Sequence, residues 1–424
     1  MNLSRREFLK GVSAAAVGVV VAGARRPASA APARVVVIGA GFAGATAAKY
    51  IRLWSPDVAV TLVERNREFI SCPLSNRVLS GQIGLVDLTR GYGALSAKYG
   101  IDVVHDEVTE IDAEKQQVKL ASADALPYDR LIVAPGVDLL YEGIPGLREQ
   151  AARERVLHAW KAGAQTVALR KQLEAMPDGG VYAITIPKVP YRCPPGPYER
   201  ACQVAWYFKS QKPKSKVLIL DANEKVQSKE ALFTKVWKDW YAGIIEYRPN
   251  STLVDVDANT LTAKLEFEDV RADVLNVVPP QRAGKIAADA GLITANNKWC
   301  GIDFLSYESV AKKNIHVLGD AILAAPAMPK SAHMANQHAK VAAAAVVALL
   351  HGEAPNPSPV INNTCYSFVS DKDVIHVASV HRYDAEKKTM VVAPGASGVS
   401  TEANALEGVY AEAWGRNIWA DTLG

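Results

Sequence analysis

The sequence predicts an α/β protein: two Rossmann-like three-layer units, each a parallel sheet covered by helices, then a smaller C-terminal α+β unit. Three observations carry this. Arg34 to Glu64 reads as strand, glycine-rich turn, helix, strand and acid. A second apolar strand, Val181 to Ile186, is followed by a turn, a helix and a further strand, Val217 to Leu220, that ends on Asp221. Beyond residue 353 a Pro/Asn-rich linker leads into hairpin-like alternation.

The first stretch is the most specific. Val35–Ile38 is a buried strand, and Gly39, Gly41 and Gly44 occupy the three positions of a dinucleotide fingerprint. Gly39 makes the tight turn, Gly41 admits a pyrophosphate close to the backbone, and Gly44 lets the helix from Ala45 to Leu53 pack on the strand. Val58–Val63 ends on Glu64, 20 residues after Gly44, where a carboxylate accepts ribose hydroxyls. The eight residues from Glu64 to Cys72 span about 25 Å at ~3.3 Å each, so this loop can run from the ribose past the pyrophosphate. On the residues alone, Cys72 reads equally as a structural and as a functional cysteine.

A helix ending in A-L-S-A-K-Y and alternating strands fill residues 81–127, and the strand Tyr128–Val133 turns at Pro135-Gly136. A boundary is expected near Ile144-Pro145-Gly146, giving a first unit of 31–146 and 281–352 and a second of 147–280. The second unit should open with a helix from Trp160 to Met176. After Val181–Ile186, where a second glycine fingerprint would bind a nicotinamide dinucleotide, the chain instead places five prolines and one glycine between Pro187 and Pro197. Prolines lack the N–H donors of a phosphate cradle, so that site reads as degenerate. Cys193 lies in this turn, with Glu199 six residues on and Cys202 in the next helix. Beside a helix N-terminus Cys193 could ionise early, or it could be half of a structural disulfide. Residues 244–278 read as hairpins, and Ala272–Pro280 as the return to the first unit. Ile315–Leu318 is then a strand ending in Gly319-Asp320. A G-D pair combined with the earlier fingerprint marks FAD, the aspartate binding the ribityl chain. The helix from Ser331 to Leu350 carries His333 and His338 at i, i+5, which is not zinc spacing, and no metal site is expected.

The net charge of +4 is accounted for by residues 1–30, where Arg5, Arg6, Lys10, Arg25 and Arg26 oppose Glu7, so no nucleic-acid footprint remains. Those residues have the order of a twin-arginine signal peptide: Ser4–Lys10, a short apolar stretch from Gly11 to Gly23, and a small-residue cleavage site at Ala28-Ser29-Ala30. The expectation is export to a periplasm in folded form, with no membrane anchor. Five cysteines leave one unpaired, and the absence of C-x-x-C-H means that no c-type haem is attached to this chain.

Taken together, V-V-V-I-G-A-G-F-A-G, E-R-N-R-E-F-I-S-C-P-L, Y-R-C-P-P-G-P-Y-E, H-V-L-G-D-A, N-T-C-Y-S and the leader resemble the flavoprotein subunits of flavocytochrome c sulfide dehydrogenase, over essentially the whole chain. The resemblance implies a glutathione-reductase-like two-dinucleotide flavoprotein whose third unit, 353–424, is the flavin and interface domain. It implies FAD held covalently at Cys72 as an 8-alpha-S-cysteinyl thioether. It also implies a redox-active disulfide between Cys193 and Cys365, with Glu199 as acid/base. Sulfide would be oxidised to sulfur or polysulfide and electrons passed to a c-type cytochrome subunit, haem residing only on that partner of a heterodimer. Two thiols, Cys202 and Cys300, are then left over and are expected to pair. The alternatives are a sulfide:quinone oxidoreductase-like enzyme and a non-catalytic flavoprotein that docks or senses redox state.

Overall fold

A computed structural model describes residues 31–424, so the signal-peptide expectation lies outside the described residues. The first sheet is five-stranded and parallel throughout, in the spatial order Ile315–Val317, Arg130–Val133, Arg34–Ile38, Ala59–Val63, Asp102–Val104. Val35, Val36 and Val37 at its centre are buried, as strands covered on both faces must be. Helix Phe42–Trp54 is buried from Ala43 to Lys49 and at Ile51, its end at Leu53 and Trp54 being exposed, and it packs along helix Ala332–Leu350. The latter is capped by Ser331, whose hydroxyl accepts from the Met334 N–H at 3.1 Å.

The second sheet is also parallel, in the order Ile245–Arg248, Lys216–Asp221, Val181–Ile186, Val274–Val277. Two expectations are corrected here. Ile245–Arg248 and Val274–Val277 are strands of this sheet rather than parts of hairpins; all four residues of the latter are buried, and a strand covered on both faces loses its alternation. Only Leu253–Asp257, Thr262–Leu265 and Asp269–Arg271 form an antiparallel meander. The helix expected from Trp160 spans Ala164–Ala175. Ala159 and Gly163 have positive φ, 42° and 152°, and Gln165 accepts from the N–H groups of His158 and Ala159, which holds residues 158–163 as a loop.

C-terminal to these lies a three-stranded antiparallel sheet, Val360–Phe368, Val374–Asp384 and Thr389–Val399. The last segment is the 19-residue helix Ala405–Leu423. Its Trp419 indole donates to Ser71 Oγ at 2.9 Å, so the end of the chain holds the loop that carries Cys72. No helix among the described residues is long and apolar enough to cross a membrane.

Candidate functional site

One cavity of about 1570 Å³ runs from the first sheet's glycine turn to the C-terminal sheet. That exceeds the roughly 300–1,000 Å³ of an ordinary small-molecule cleft and suits an extended dinucleotide. Gly39, Gly41, Glu64, Cys72, Cys193, Glu199, Gly319, Asp320 and Cys365 all line it. Gly44 alone of the expected residues lies behind the wall, where a Cβ would come 1.8 Å from the Gly39 carbonyl oxygen.

At the glycine end, Gly39 has φ +88° and donates to the Val63 carbonyl at 2.8 Å. A Cβ on Gly41 would meet nothing within 4 Å: the space in front of the helix start is open. Helix Phe42–Trp54 has no side-chain cap and no acid in its first turn, so its leading N–H groups are left for an anion. Glu64 is positioned by the Ala40 N–H at 2.8 Å on one oxygen and by Asn66 on the other. Asp320 follows Gly319, whose φ is +71°, and its Oδ1 is shut off from solvent with no hydrogen-bond partner. A shielded acceptor of this kind calls for a hydroxyl donor. The open cradle, the uncapped helix and the orphaned carboxylate oxygen together fit FAD.

At the other end, three cysteine-bearing segments converge. Cys72 is half-buried, and Arg192 Nη2 donates to its sulfur at 3.1 Å while also bonding the Trp160 carbonyl. Cys193 is exposed to the cavity; its φ is +58°, and its N–H donates to the Lys330 carbonyl at 2.7 Å. Cys365 lies half-buried in strand Val360–Phe368. Glu199, in the first turn of helix Gly196–Gln211, joins these segments. Its Oε1 accepts from the Phe368 N–H at 2.9 Å, three residues beyond Cys365, and its Oε2 from Asn76 Nδ2 at 2.9 Å, four residues beyond Cys72. Arg200 adds bonds to Asn76 Oδ1, Asn276 Oδ1 and the carbonyls of His158 and Ala159.

The early ionisation expected of Cys193 is corrected. Although the residue opens onto the cavity, the protein packed around its sulfur desolvates it, and this, with the charges of Cys365 and Glu199, raises its pKa above the usual thiol range despite Arg192 and Lys229. Burial likewise raises Cys365 and Glu199. No disulfide is formed among the described residues, and all five cysteines are free. Pairing of Cys202 with Cys300 is also corrected. Cys202 lies in the core under the second sheet, accepting from the Trp237 indole at 3.3 Å, and Cys300 lies in the separate core of the first. Burial pushes both thiols up to about 12.

In the second unit Asp221 is fully buried and accepts from Tyr198 OH at 2.7 Å, Tyr247 OH at 3.1 Å, and the Asn223 N–H and Nδ2 at 2.9 and 2.7 Å. Four donors of its own chain occupy the carboxylate. His333 and His338, whose spacing does not suit zinc, are both held neutral by burial, with pKa values lowered to about 4 and about 3. Sequence reasoning missed Asn76, Arg192, Lys229 and Lys330. Arg192 stands beside Cys193 in Y-R-C-P-P, which was a usable signal; Lys229 and Lys330 reach the site only through tertiary contacts.

The profile of the pyridine nucleotide-disulphide oxidoreductases matches residues 33–173. That of the sulfide dehydrogenase [flavocytochrome c] flavoprotein chain, central, matches 166–279, and that of flavocytochrome c sulphide dehydrogenase, flavin-binding, matches 357–423. A sulfide dehydrogenase [flavocytochrome c] flavoprotein chain from Chlorobaculum thiosulfatiphilum is 56% identical over 45 residues, 11% of this chain and 94% of that sequence. A sulfide-quinone reductase of Aquifex aeolicus (strain VF5) is 28% identical over 117 residues, 28% of this chain and 27% of the relative. Among solved structures, the sulfide:quinone oxidoreductase of Aquifex aeolicus superposes with a TM-score of 0.75 at 18% identity, covering 92% of this chain and 91% of that one. The putidaredoxin reductase in a covalent complex with putidaredoxin gives 0.65 at 17%, over 92% and 93%. Open cradle, cysteine-lined cavity and matched profiles agree: the chain is a flavoprotein oxidoreductase and belongs to the family of flavocytochrome c sulfide dehydrogenase flavoprotein chains.

Proposed function

We propose that this chain oxidises hydrosulfide at the Cys193–Cys365 pair, holds FAD through a thioether at Cys72, and passes electrons to a separate c-type cytochrome chain in a periplasm. The observation that carries the reading is that Cys72, Cys193 and Cys365 line the same cavity as the glycine cradle. A flavin bound there supplies a two-electron acceptor that can release electrons singly. The leading N–H groups of helix Phe42–Trp54 bind the pyrophosphate, and Glu64 and Asp320 accept from sugar and ribityl hydroxyls. Arg192 holds the Cys72 sulfur in place. Cys193 and Cys365 meet hydrosulfide by thiol–disulfide exchange when oxidised to the disulfide. Glu199, its pKa raised by burial, carries a proton at the thiol end of the cavity.

NADH is not the donor in this reading, because the turn at Pro187–Pro197 is proline-rich and Asp221 is already saturated. A quinone acceptor is the second reading, favoured by the sequence likeness to the Aquifex aeolicus sulfide-quinone reductase. Anaerobic mixing tests the proposal: sulfide, and not NADH, bleaches the flavin absorbance, and Cys193→Ser or Cys365→Ser abolishes bleaching while the flavin stays bound. Bleaching retained in both variants refutes the role of the pair. Offering a soluble cytochrome c against a quinone analogue then decides the acceptor.

A further inference from the structure

The two cysteines of the pair sit in unlike surroundings. Lys229 is buried with φ +55° at the start of helix Glu230–Trp240. Its ammonium donates to the Cys365 carbonyl at 3.0 Å, to Ser367 Oγ at 2.8 Å and to the Ile375 carbonyl at 3.4 Å. Among the described residues no carboxylate lies within ion-pair distance of it. A buried cation without a counter-ion is costly unless an anion appears nearby. Cys365 also has a donor aimed at its sulfur. The Ser331 hydroxyl donates to Asn363 Oδ1 at 2.7 Å, which leaves Asn363 Nδ2 turned to Cys365 Sγ at 3.4 Å. Cys193 Sγ has no hydrogen-bond donor among the described residues, and its neighbour Arg192 is committed to Cys72 and Trp160.

We propose that Lys229 is the counter-cation that sets the polarity of the cysteine pair, holding the negative charge of the opened disulfide on Cys365, so that hydrosulfide attacks Cys193. The inference rests on the reading of this chain as a sulfide oxidoreductase. In the step, the sulfur of HS⁻ bonds to Cys193 Sγ and the Cys193–Cys365 S–S bond breaks. The electron pair of that bond goes to Cys365 Sγ as thiolate, and the proton stays on the terminal sulfur of Cys193–S–SH. The disulfide is reduced as the sulfide sulfur is oxidised. The charged and titratable groups facing the Cys365 sulfur are Lys229, Glu199 and Cys193, and Glu407 also acts on the ammonium. His333, whose ring nitrogen accepts from the Thr364 N–H, is neutral. Burial lowers Lys229 to about 8, so its charge, and with it the preference, fades in mildly alkaline solution.

The test uses the full flavin-loaded chain. After reduction with dithiothreitol, iodoacetamide is applied across pH and each cysteine is followed by peptide mass mapping. At pH 7, where the Lys229 ammonium is charged, Cys365 should be alkylated about tenfold faster than Cys193, an about tenfold difference in thiolate. Lys229→Met should remove this advantage at pH 7 and Lys229→Arg should restore it, and in the unaltered chain the advantage should shrink above about pH 8. An unchanged Cys365 rate at pH 7 in Lys229→Met overturns the proposal, as does faster alkylation of Cys193 in the unaltered chain. In the unaltered chain, sulfide followed by rapid alkylation should place the persulfide on Cys193; a persulfide on Cys365 overturns it even if Lys229→Met fails to fold. Flavin bleaching by sulfide is read separately, so a failure of sulfide oxidation itself is distinguishable from wrong polarity.

Discussion

Glu199→Ala removes the carboxyl that joins three segments, and the cost follows from what it leaves behind. The Phe368 N–H lies at the end of its strand with Glu199 Oε1 as its acceptor, in a residue that is 1% exposed. Asn76 Nδ2 loses Oε2 but keeps the Gly196 carbonyl at 3.2 Å, so its loss falls at the low end of the range. A stranded buried donor costs about 1–3 kcal/mol, and with about 1 for Asn76 the variant stands about 2–4 kcal/mol below the parent. At about 2.1 cal/mol/K per residue that is a fall in Tm of about 2–5 °C. Glu199→Gln keeps an acceptor for Phe368 but turns an amide toward Asn76 Nδ2. Asn76 cannot rotate to meet it, because Arg200 Nε donates to its Oδ1 at 3.0 Å, so about 1–3 kcal/mol is lost. Acidity adds a second readout. The folded chain retains a proton on Glu199 that the unfolded chain releases, since burial raises this carboxyl. Stability from that proton is complete below the ordinary Glu range, near pH 4, and is lost as pH rises through the folded value. Denaturant titration at several pH values should show this slope in the parent and not in Glu199→Gln. A Glu199→Ala chain within about 0.5 kcal/mol of the parent, or an unchanged slope in Glu199→Gln, would refute the role given to the carboxyl.

Gly41→Val should leave a folded chain depleted of flavin, because its side chain enters open space in the cradle, whereas Gly44→Ala should cost the fold itself, because its Cβ falls 1.8 Å from Gly39 O. Circular dichroism and flavin content separate the two, and full flavin retention in Gly41→Val would contradict the cradle assignment. Cys72→Ala should give a protein whose flavin is released by acid precipitation; flavin that stays with the pellet would place the attachment elsewhere.

The fingerprint from Arg34 to Glu64 was legible because its demands are local: a positive φ at Gly39, a close approach at Gly44, an uncapped helix start. Ser331 could be read as a helix start and Val181–Ile186 as a strand for the same reason. Ile245–Arg248 and Val274–Val277 were not, since a short apolar run does not reveal whether its neighbours in the sheet are adjacent in sequence. The Trp160 loop was missed because glutamine contacts, rather than propensity, hold it open.

By itself, then, the sequence determined the fold class, the cradle and which cysteines deserved scrutiny, because each rests on contacts within a few tens of residues. Tertiary structure alone decided that Cys202 and Cys300 lie in different cores, that Cys193 is driven up rather than down, and that Lys229 stands over Cys365. Those are facts of desolvation and charge, set by residues 136 positions apart in the case of Lys229 and Cys365, and neither burial nor field is written in spacing along a chain.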